Sequence, residues 1–260
     1  QAMIKAAALD RVITAHCENE AYPAKDARSE WTEAVRDIQL TEETGAALHI
    51  CHVSSARTLE AVREAKARGV NVTCETAPHY IAFSEEDVTD DGKFKMNPPI
   101  RSERDKAAIL EAVKDGTIDM IATDHAPHSA EEKSKGFEDS LNGIIGLETA
   151  FAVMNTLLCE TGEIPFEKLV QLMSTNPASR FNLDGGQLDN PDLSMTAARD
   201  EILALHELHP SAIESIPIED FEQLRDAAEQ VVQQPEHTFS IYQLKDGDET
   251  WGYRFEPLDR

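Results

Sequence analysis

The chain has 260 residues, enough for one large domain or for one domain with an appendage, and 41% of them are hydrophobic. Its net charge of −25 makes polyanions such as nucleic acid unfavourable partners, and no stretch reaches the ~18 apolar residues of a membrane span. Four cysteines without a CxxC pair or a secretory framework indicate a reducing cytosol.

The first half of the chain alternates predicted helices and strands. Gln1 opens directly into helical sequence, with neither a signal peptide nor an initiator Met, and the missing Met predicts an incomplete chain. Strands are predicted at 12–15, 47–53, 70–75 and 118–122, and helices at 29–43, 56–68, 102–114, 146–160 and 165–173. Ser29 and Ser102 are predicted N-caps, and Gly45 and Gly69 end their helices. This strand–helix repetition is typical of parallel βα units.

Polar residues follow the predicted strands. The apolar run at 118–122 stops at Asp124, and Pro127 prevents its continuation. Right-handed crossovers place all strand ends on one side, so His16, His52 and His79 should converge with Asp124. Imidazoles with a carboxylate suit a zinc-type ion that keeps a position open for water. The alternative is a solvated loop in which Asp124 caps the next helix.

Six motifs in order resemble bacterial dihydroorotases, members of the amidohydrolase superfamily. They are HCEN at 16–19, HICHVSS at 49–55, VTCETAPHY at 72–80, KMNPPIR at 95–101, ATDHAPH at 122–128 and GLETAF at 146–151. The resemblance implies an α/β fold in which residues 1–188 supply strands five to eight of a partial (β/α)₈ TIM barrel. Allantoinases and hydantoinases are the nearest alternatives, but MNPPIR with TDHAPH is more similar to dihydroorotase.

The resemblance also implies roles for individual residues. His16 and His52 would bind one Zn²⁺ ion of a binuclear site, and Asp124 would bind the other and act as general acid/base. The implied substrate contacts are Asn97, His128, Asn142 and Gly143. The implied reaction interconverts dihydroorotate and N-carbamoyl-L-aspartate in cytoplasmic pyrimidine biosynthesis.

Other residues are expected to be structural. His49 should pack outside its strand, and His79 and His125 should support or pack against the site. Three cysteines in or beside buried strands are expected to be free thiols: Cys17, Cys51 and Cys74. A serine hydrolase is excluded because no G-x-S-x-G elbow occurs.

Part of the family's site is absent from this sequence. No H-x-H precedes His16, and the first-strand arginine and the bridging residue of strand four are missing as well. Four strands cannot close a barrel, so two sheet edges should be open. We therefore expect the chain alone to bind divalent metal weakly and to hydrolyse no dihydroorotate. Self-association or pairing with a missing half is also expected.

Beyond Gly185 and Gly186 the sequence becomes strongly acidic, with 17 acidic and 5 basic residues in 185–260. Residues 189–260 are predicted to form an appendage of two helices and a β-hairpin, with Tyr242 and Tyr253 available for packing. FSIYQLK and YRFEPLDR resemble YodL-like modules of mobile-element proteins. Disorder is the alternative for 185–215. The chain is thus either part of a metal-dependent hydrolase or a non-catalytic degenerate half-barrel or chimeric fusion.

Overall fold

The computed structural model describes residues 1–186 and the backbone of two later strands, at 242–246 and 249–254. The chain divides into two compact units, Gln1–Asp189 and Asn190–Arg260. In the second unit, β5 (Tyr242–Asp246) and β6 (Glu249–Arg254) pair antiparallel, with a bulge between Leu244 and Lys245. The two helices predicted for 189–240 lie outside the described residues.

The first unit consists of parallel strands that alternate with helices. The strands are β1 (Val12–Ala15), β2 (Ala47–Ile50), β3 (Val72–Thr76) and β4 (Met120–Ile121). The helices around them are α1 (Ala2–Ala8), α2 (Arg28–Thr44), α3 (Ala56–Ala67), α4 (Pro78–Ala82) and α5 (Glu103–Asp115). All neighbouring strands are parallel, in the order β1-β2-β3-β4. The prediction of an α/β fold with a parallel sheet is therefore confirmed.

Shorter helical segments follow β4. They are α6 (Ala130–Lys133), α7 (Gly136–Asp139), α8 (Ala150–Met154), a π-helical stretch (Asn155–Glu160), α9 (Phe166–Val170), a second π-helical stretch (Gln171–Thr175) and α10 (Asn176–Phe181). Before α5, a single 3-10 turn covers Gly92–Phe94. Among the described residues, no helix is long and apolar enough to cross a membrane.

The helix boundaries test the predicted caps. Ser102 accepts the amide hydrogen of Asp105 at the start of α5, as predicted. The prediction for Ser29 was wrong, because α2 already begins at Arg28 and Ser29 is buried inside its first turn. The carboxylate of Asp26 instead accepts the amide hydrogen of Arg28 at 3.0 Å.

The two faces of the sheet have different character. Leu48 and Ile50 of β2 are fully buried in the apolar cluster that includes Ile38 of α2 and Leu59 of α3. Side chains alternate along a strand, so His49 lies on the opposite face. That second face carries the polar groups that lead towards the candidate site.

Candidate metal and substrate site

Two imidazoles meet where β1 and β2 end. His16 directly follows β1, and His52 lies two residues beyond β2. Nδ1 of His16 is 2.9 Å from Nε2 of His52, and the ring centroids are 4.7 Å apart. Neutral imidazoles place only one proton between two facing nitrogens. At least one of the two facing nitrogens, Nδ1 of His16 or Nε2 of His52, therefore carries a free lone pair.

His52 has the properties of a metal-binding imidazole. Burial, and secondarily the charge of His16, lowers its pKa, while the charge of Asp124 opposes the shift. Its Nδ1 is buried and has no hydrogen-bond partner among the described residues. A neutral imidazole is the form that binds a metal. Two nitrogens bound to tetrahedral zinc at ~2.0–2.1 Å lie about 3.3 Å apart, so the observed 2.9 Å needs only a small adjustment.

Asp124 contributes the carboxylate of this cluster. It follows β4, is partly buried, and interacts electrostatically with both His52 and His16. Burial raises the pKa of Asp124, the nearby charge of Glu75 raises it further, and the two imidazoles oppose the shift. A carboxylate whose pKa is raised takes up a proton more readily than an ordinary one.

The backbone is unusual at two of these residues. His52 has φ of 36° and Asp124 has φ of 48°, both in the left-handed region. Within the described part of the chain, only Asp10 and Asn182 are further non-glycine residues with positive φ. Such conformations are costly and persist where the surrounding structure enforces them, often at functional sites. Here they turn the chain two residues beyond β2 and three residues beyond β4.

Glu18 joins the imidazole pair to Asn97. Its Oε2 lies 2.9 Å from Nε2 of His16 and accepts a hydrogen bond from Nδ2 of Asn97 at 3.1 Å. The hydrogen bond with His16 is the main reason why the pKa of Glu18 is lowered. Sequence reasoning did not single out Glu18, although it lies two residues after a strand-ending histidine.

His128, Asn142 and Gly143 form a neighbouring group of contacts. Nε2 of His128 lies 2.8 Å from the carbonyl oxygen of Asn142, and the amide of Gly143 donates to the carbonyl of Lys95 at 2.9 Å. A Cβ at position 143 would lie 2.4 Å from the carbonyl oxygen of Ala126 and 2.8 Å from the His128 ring. With φ of 151° as well, this position requires glycine.

Two further motif histidines, His79 and His125, have different surroundings. His79 is 5% exposed, and burial lowers its pKa to about 3. Its Nε2 has no hydrogen-bond partner among the described residues. His125 is exposed, and its Nδ1 accepts the amide hydrogens of Gly146 and Leu147 at 3.1 and 3.2 Å. His125 thus anchors the loop that follows Asp124.

His49 lies in a second polar group on the same face of the sheet. Its Nδ1 is 2.8 Å from Oγ1 of Thr73, and its Nε2 is 3.0 Å from Oε2 of Glu75. Ligand-type atoms of His49, Cys51 and Glu75 all lie within 4.8 Å of one another. Burial and the charges of Glu75 and Asp124 raise the pKa of the Cys51 thiol to about 11. Side-chain hydrogen bonds already engage both nitrogens of His49.

The fold and the site define an α/β protein whose parallel strands bring imidazole and carboxylate groups to one edge. The chain belongs to the amidohydrolase family, whose model, described as "Amidohydrolase family", matches residues 1–190. A second model, "Large polyvalent protein-associated domain 16", matches residues 180–228. The two segments that resemble YodL-like modules, 239–245 and 253–260, lie beyond that match. The resemblance to these modules stays a prediction.

Curated relatives and solved structures agree with this assignment. The dihydroorotase of Brevibacillus brevis is 45% identical over 209 residues, which are 73% of this chain and 49% of that protein. The dihydroorotase of Listeria innocua is 42% identical over 207 residues, again 73% and 49%. The chain spans about half the length of these relatives.

Among solved structures, the L-hydantoinase (dihydropyrimidinase) of Arthrobacter aurescens has a TM-score of 0.67 at 29% identity, covering 72% of this chain and 47% of that one. The D-hydantoinase (dihydropyrimidinase) of Thermus sp. has a TM-score of 0.66 at 27% identity, covering 74% and 48%.

Proposed function

We propose that residues 1–188 are strands five to eight of a dihydroorotase-type barrel and take part in the metal-dependent hydrolysis of a cyclic amide. The observation that carries the proposal is the 2.9 Å approach of His16 Nδ1 to His52 Nε2 beside Asp124. It is supported by dihydroorotases 42–45% identical over this segment. The implied reaction interconverts dihydroorotate and N-carbamoyl-L-aspartate in the cytosol.

In this proposal, His16 and His52 would hold one divalent ion of the zinc type, and Asp124 would contribute to a second. Such ions lower the pKa of a bound water towards ~7 and polarise a carbonyl group. Asp124 would accept a proton from the attacking water and deliver it to the ring nitrogen that leaves when the amide C–N bond breaks. Its raised pKa suits this exchange, because the protonated carboxyl is less costly there than at an exposed aspartate.

Asn97 and His128 are the proposed substrate contacts. Nδ2 of Asn97 is held by Glu18, and the amide oxygen Oδ1 can accept a hydrogen bond from a ring N–H. Because Nε2 of His128 faces the carbonyl of Asn142, it carries the proton, and Nδ1, 3.8 Å from Oε2 of Glu132, is the nitrogen that would face the ligand. Nδ1 binds a substrate carboxylate only when the imidazole is protonated. Gly143 allows the backbone to approach this ring closely.

We further propose that the chain alone binds divalent metal weakly and has no turnover. Two imidazoles and one carboxylate are fewer ligands than a binuclear centre needs, since a single catalytic zinc usually has about three protein ligands. The residues that would complete the site belong to strands one to four of the relatives. Pairing of a separate first half with the open sheet edges would supply them.

The test mixes the full chain with the separately produced first half of the Brevibacillus brevis dihydroorotase and measures dihydroorotate hydrolysis. We expect activity only in the mixture and none with the Asp124→Asn variant. Asp115→Asn changes an aspartate at the end of α5 and should retain activity. Turnover of ~10 per second by the unaided chain would contradict the proposed incompleteness. An inactive but assembled mixture would favour the non-catalytic alternative.

Hydantoinase activity is the second candidate, favoured by the solved structures with TM-scores of 0.66–0.67. The same mixture is therefore assayed with hydantoin, dihydrouracil and allantoin. A kcat/KM for hydantoin above that for dihydroorotate would reassign the substrate while leaving the reaction type in place.

Residues 189–260 are proposed to be an acidic appendage outside the barrel, whose function in a fusion would be to bind a partner. Limited proteolysis should cleave near 185–195 and leave a stable fragment of residues 1–188. Simultaneous loss of both parts would show that they form one domain.

A further inference from the structure

A buried ion pair lies beneath two loops of the candidate site. Glu30, in the first turn of α2, is 3% exposed, and Arg101, at the end of the 95–101 loop, is 8% exposed. Nη2 of the Arg101 guanidinium and Oε2 of Glu30 are 3.7 Å apart. Charged groups buried to this extent need several partners to offset the loss of water. The identity of those partners indicates what the pair does.

Glu30 holds the loop that follows His52. Its carboxylate accepts the amide hydrogens of Ser54 at 3.2 Å and Ser55 at 3.1 Å, together with the hydroxyl hydrogens of Ser54 and Thr58. Ser55 is the N-cap of α3, where a negative charge is favourable. The chain is thus fixed two and three residues beyond His52. These contacts help to maintain the left-handed φ of 36° at His52.

Arg101 connects the same point to the loop that carries Asn97. Its Nε donates to Oγ of Ser54 at 2.8 Å, and its Nη1 donates to the carbonyl of Lys25 at 3.3 Å. Its own carbonyl accepts the amide hydrogen of Glu85 at 2.7 Å. Asn97 lies four residues earlier. The guanidinium of Arg101 thereby connects the loop that carries Asn97 to the loop that follows His52.

These contacts form a closed path around the site. From His16 the path runs through Glu18 and Asn97 to Arg101, and from there through Glu30 and Ser54 to His52. The 2.9 Å contact between the two imidazoles closes it. Movement at the buried pair must therefore change either the separation of the imidazoles or the position of Asn97.

We propose that Glu30 and Arg101 are positioning residues that set the His52 loop against the Asn97 loop and so fix the geometry of the imidazole pair. The proposed consequence for metal binding rests on the proposed function, whereas the coupling between the loops does not. Glu30→Gln keeps the shape but replaces one acceptor oxygen by a donor facing N–H and O–H groups. Arg101→Lys keeps the charge but loses the planar fork.

The experiment follows amide hydrogen exchange in the full chain without metal. Ser54 and Ser55 report the first loop, Glu85 reports the carbonyl of Arg101, and Leu48, bonded to the carbonyl of Asn71, reports global opening. In Glu30→Gln we expect all three loop amides to exchange about tenfold faster or more, beyond any change at Leu48.

Glu33→Gln makes the same change three residues along α2 and should leave the loop amides unchanged. If Glu30→Gln accelerates Ser54 and Ser55 but not Glu85, or if all four amides accelerate equally, the coupling between the loops is refuted. Arg101→Lys is the second variant and should accelerate Glu85 even if Glu30→Gln fails to fold.

A second readout is Co²⁺ affinity measured by absorption titration. Loss of supporting contacts behind metal ligands typically weakens binding ~10–100-fold, and we expect that loss for Glu30→Gln but not for Glu33→Gln. Unchanged affinity with faster loop exchange would refute the positioning role. A wild-type chain that binds no Co²⁺ would refute the proposed function instead, and the exchange result would still decide the coupling.

Discussion

The rim of the sheet after β2 and the rim after β4 are built differently. After β2, the loop beyond His52 is buried, with Ser54 and Ser55 at 1% and 0% exposure. After β4, the chain continues through short helices and exposed apolar side chains, with Leu141 at 47% and Leu147 at 67% exposure. The first rim is held by the interior of the protein, and the second by hydrogen bonds between loops, such as those of Gly143 and Lys133 to the carbonyl of Lys95.

This difference affects the two proposed roles differently: metal binding by His16 and His52, and proton transfer by Asp124. The imidazole rim has its geometry determined by buried hydrogen bonds, whereas the Asp124 rim depends on contacts such as those of His125 with Gly146 and Leu147. We expect a ligand cluster that spans one buried and one partly exposed rim to reach its full geometry only when the second rim is covered. The contrast is therefore in keeping with the proposal that a further half completes the site.

The largest expected effect concerns packing behind the two rims. Leu48→Ala removes a fully buried side chain of β2 and should lower the free energy of unfolding by about 2–5 kcal/mol. Leu147→Ala, on the exposed rim, should change it by no more than ~0.5 kcal/mol. Urea denaturation of both variants measures this contrast. Equal destabilisation would mean that the second rim is as well packed as the first.

The next effect is a dependence of stability on pH that originates at His79, which follows β3 between the two rims. Burial lowers the pKa of His79 to about 3, so folding favours the neutral ring. Its contribution is fully present above the ordinary pKa of 6.5 and is lost progressively as the pH falls from 6.5 to about 3. At pH 4 the wild type should have lost on the order of 3 kcal/mol that His79→Gln does not lose.

Unfolding free energies at pH 7 and pH 4 measure the His79 effect. His125→Gln removes a histidine from the exposed rim and serves as the control. Parallel pH profiles for the wild type and His79→Gln would show that His79 is not held neutral by burial.

The smallest expected effect is at Asp124 itself. Burial raises its pKa, so the folded state favours the protonated carboxyl, and the charged form is a cost above that pKa. Asp124→Asn removes this cost and should make the chain slightly more stable at pH 7. The gain should disappear below pH 3.8, where the wild-type carboxyl is protonated in both states. Lower stability of Asp124→Asn at pH 7 would contradict this account of the site.

Local sequence patterns were enough to predict most of the fold. Apolar runs gave the four parallel strands, and Ser102 with the glycine after α2 gave helix ends at the right places. The convergence of His16 and His52 followed from strand order and crossover hand alone, because parallel strands share an edge. These features depend on spacing along the chain.

Contacts between distant segments were not predictable in this way. The hydrogen bond from Asn97 to Glu18 joins residues 79 apart in sequence, and Glu30 contacts Ser54 across 24 residues. In the sequence, Glu30 is only a favourable acidic residue in the first turn of a helix. Its partners are set by how α2 packs beside the end of β2, which no local pattern encodes.

The most direct test of whether His16 and His52 form a metal site is a Co²⁺ titration. It compares the purified full chain with the double variant His16→Asn/His52→Asn. We expect weak binding by the wild type and at least ~100-fold weaker binding by the double variant. His128→Asn should bind as the wild type does, because His128 is proposed to contact substrate. Equal affinity in the wild type and the double variant would show that the two imidazoles are not a metal site.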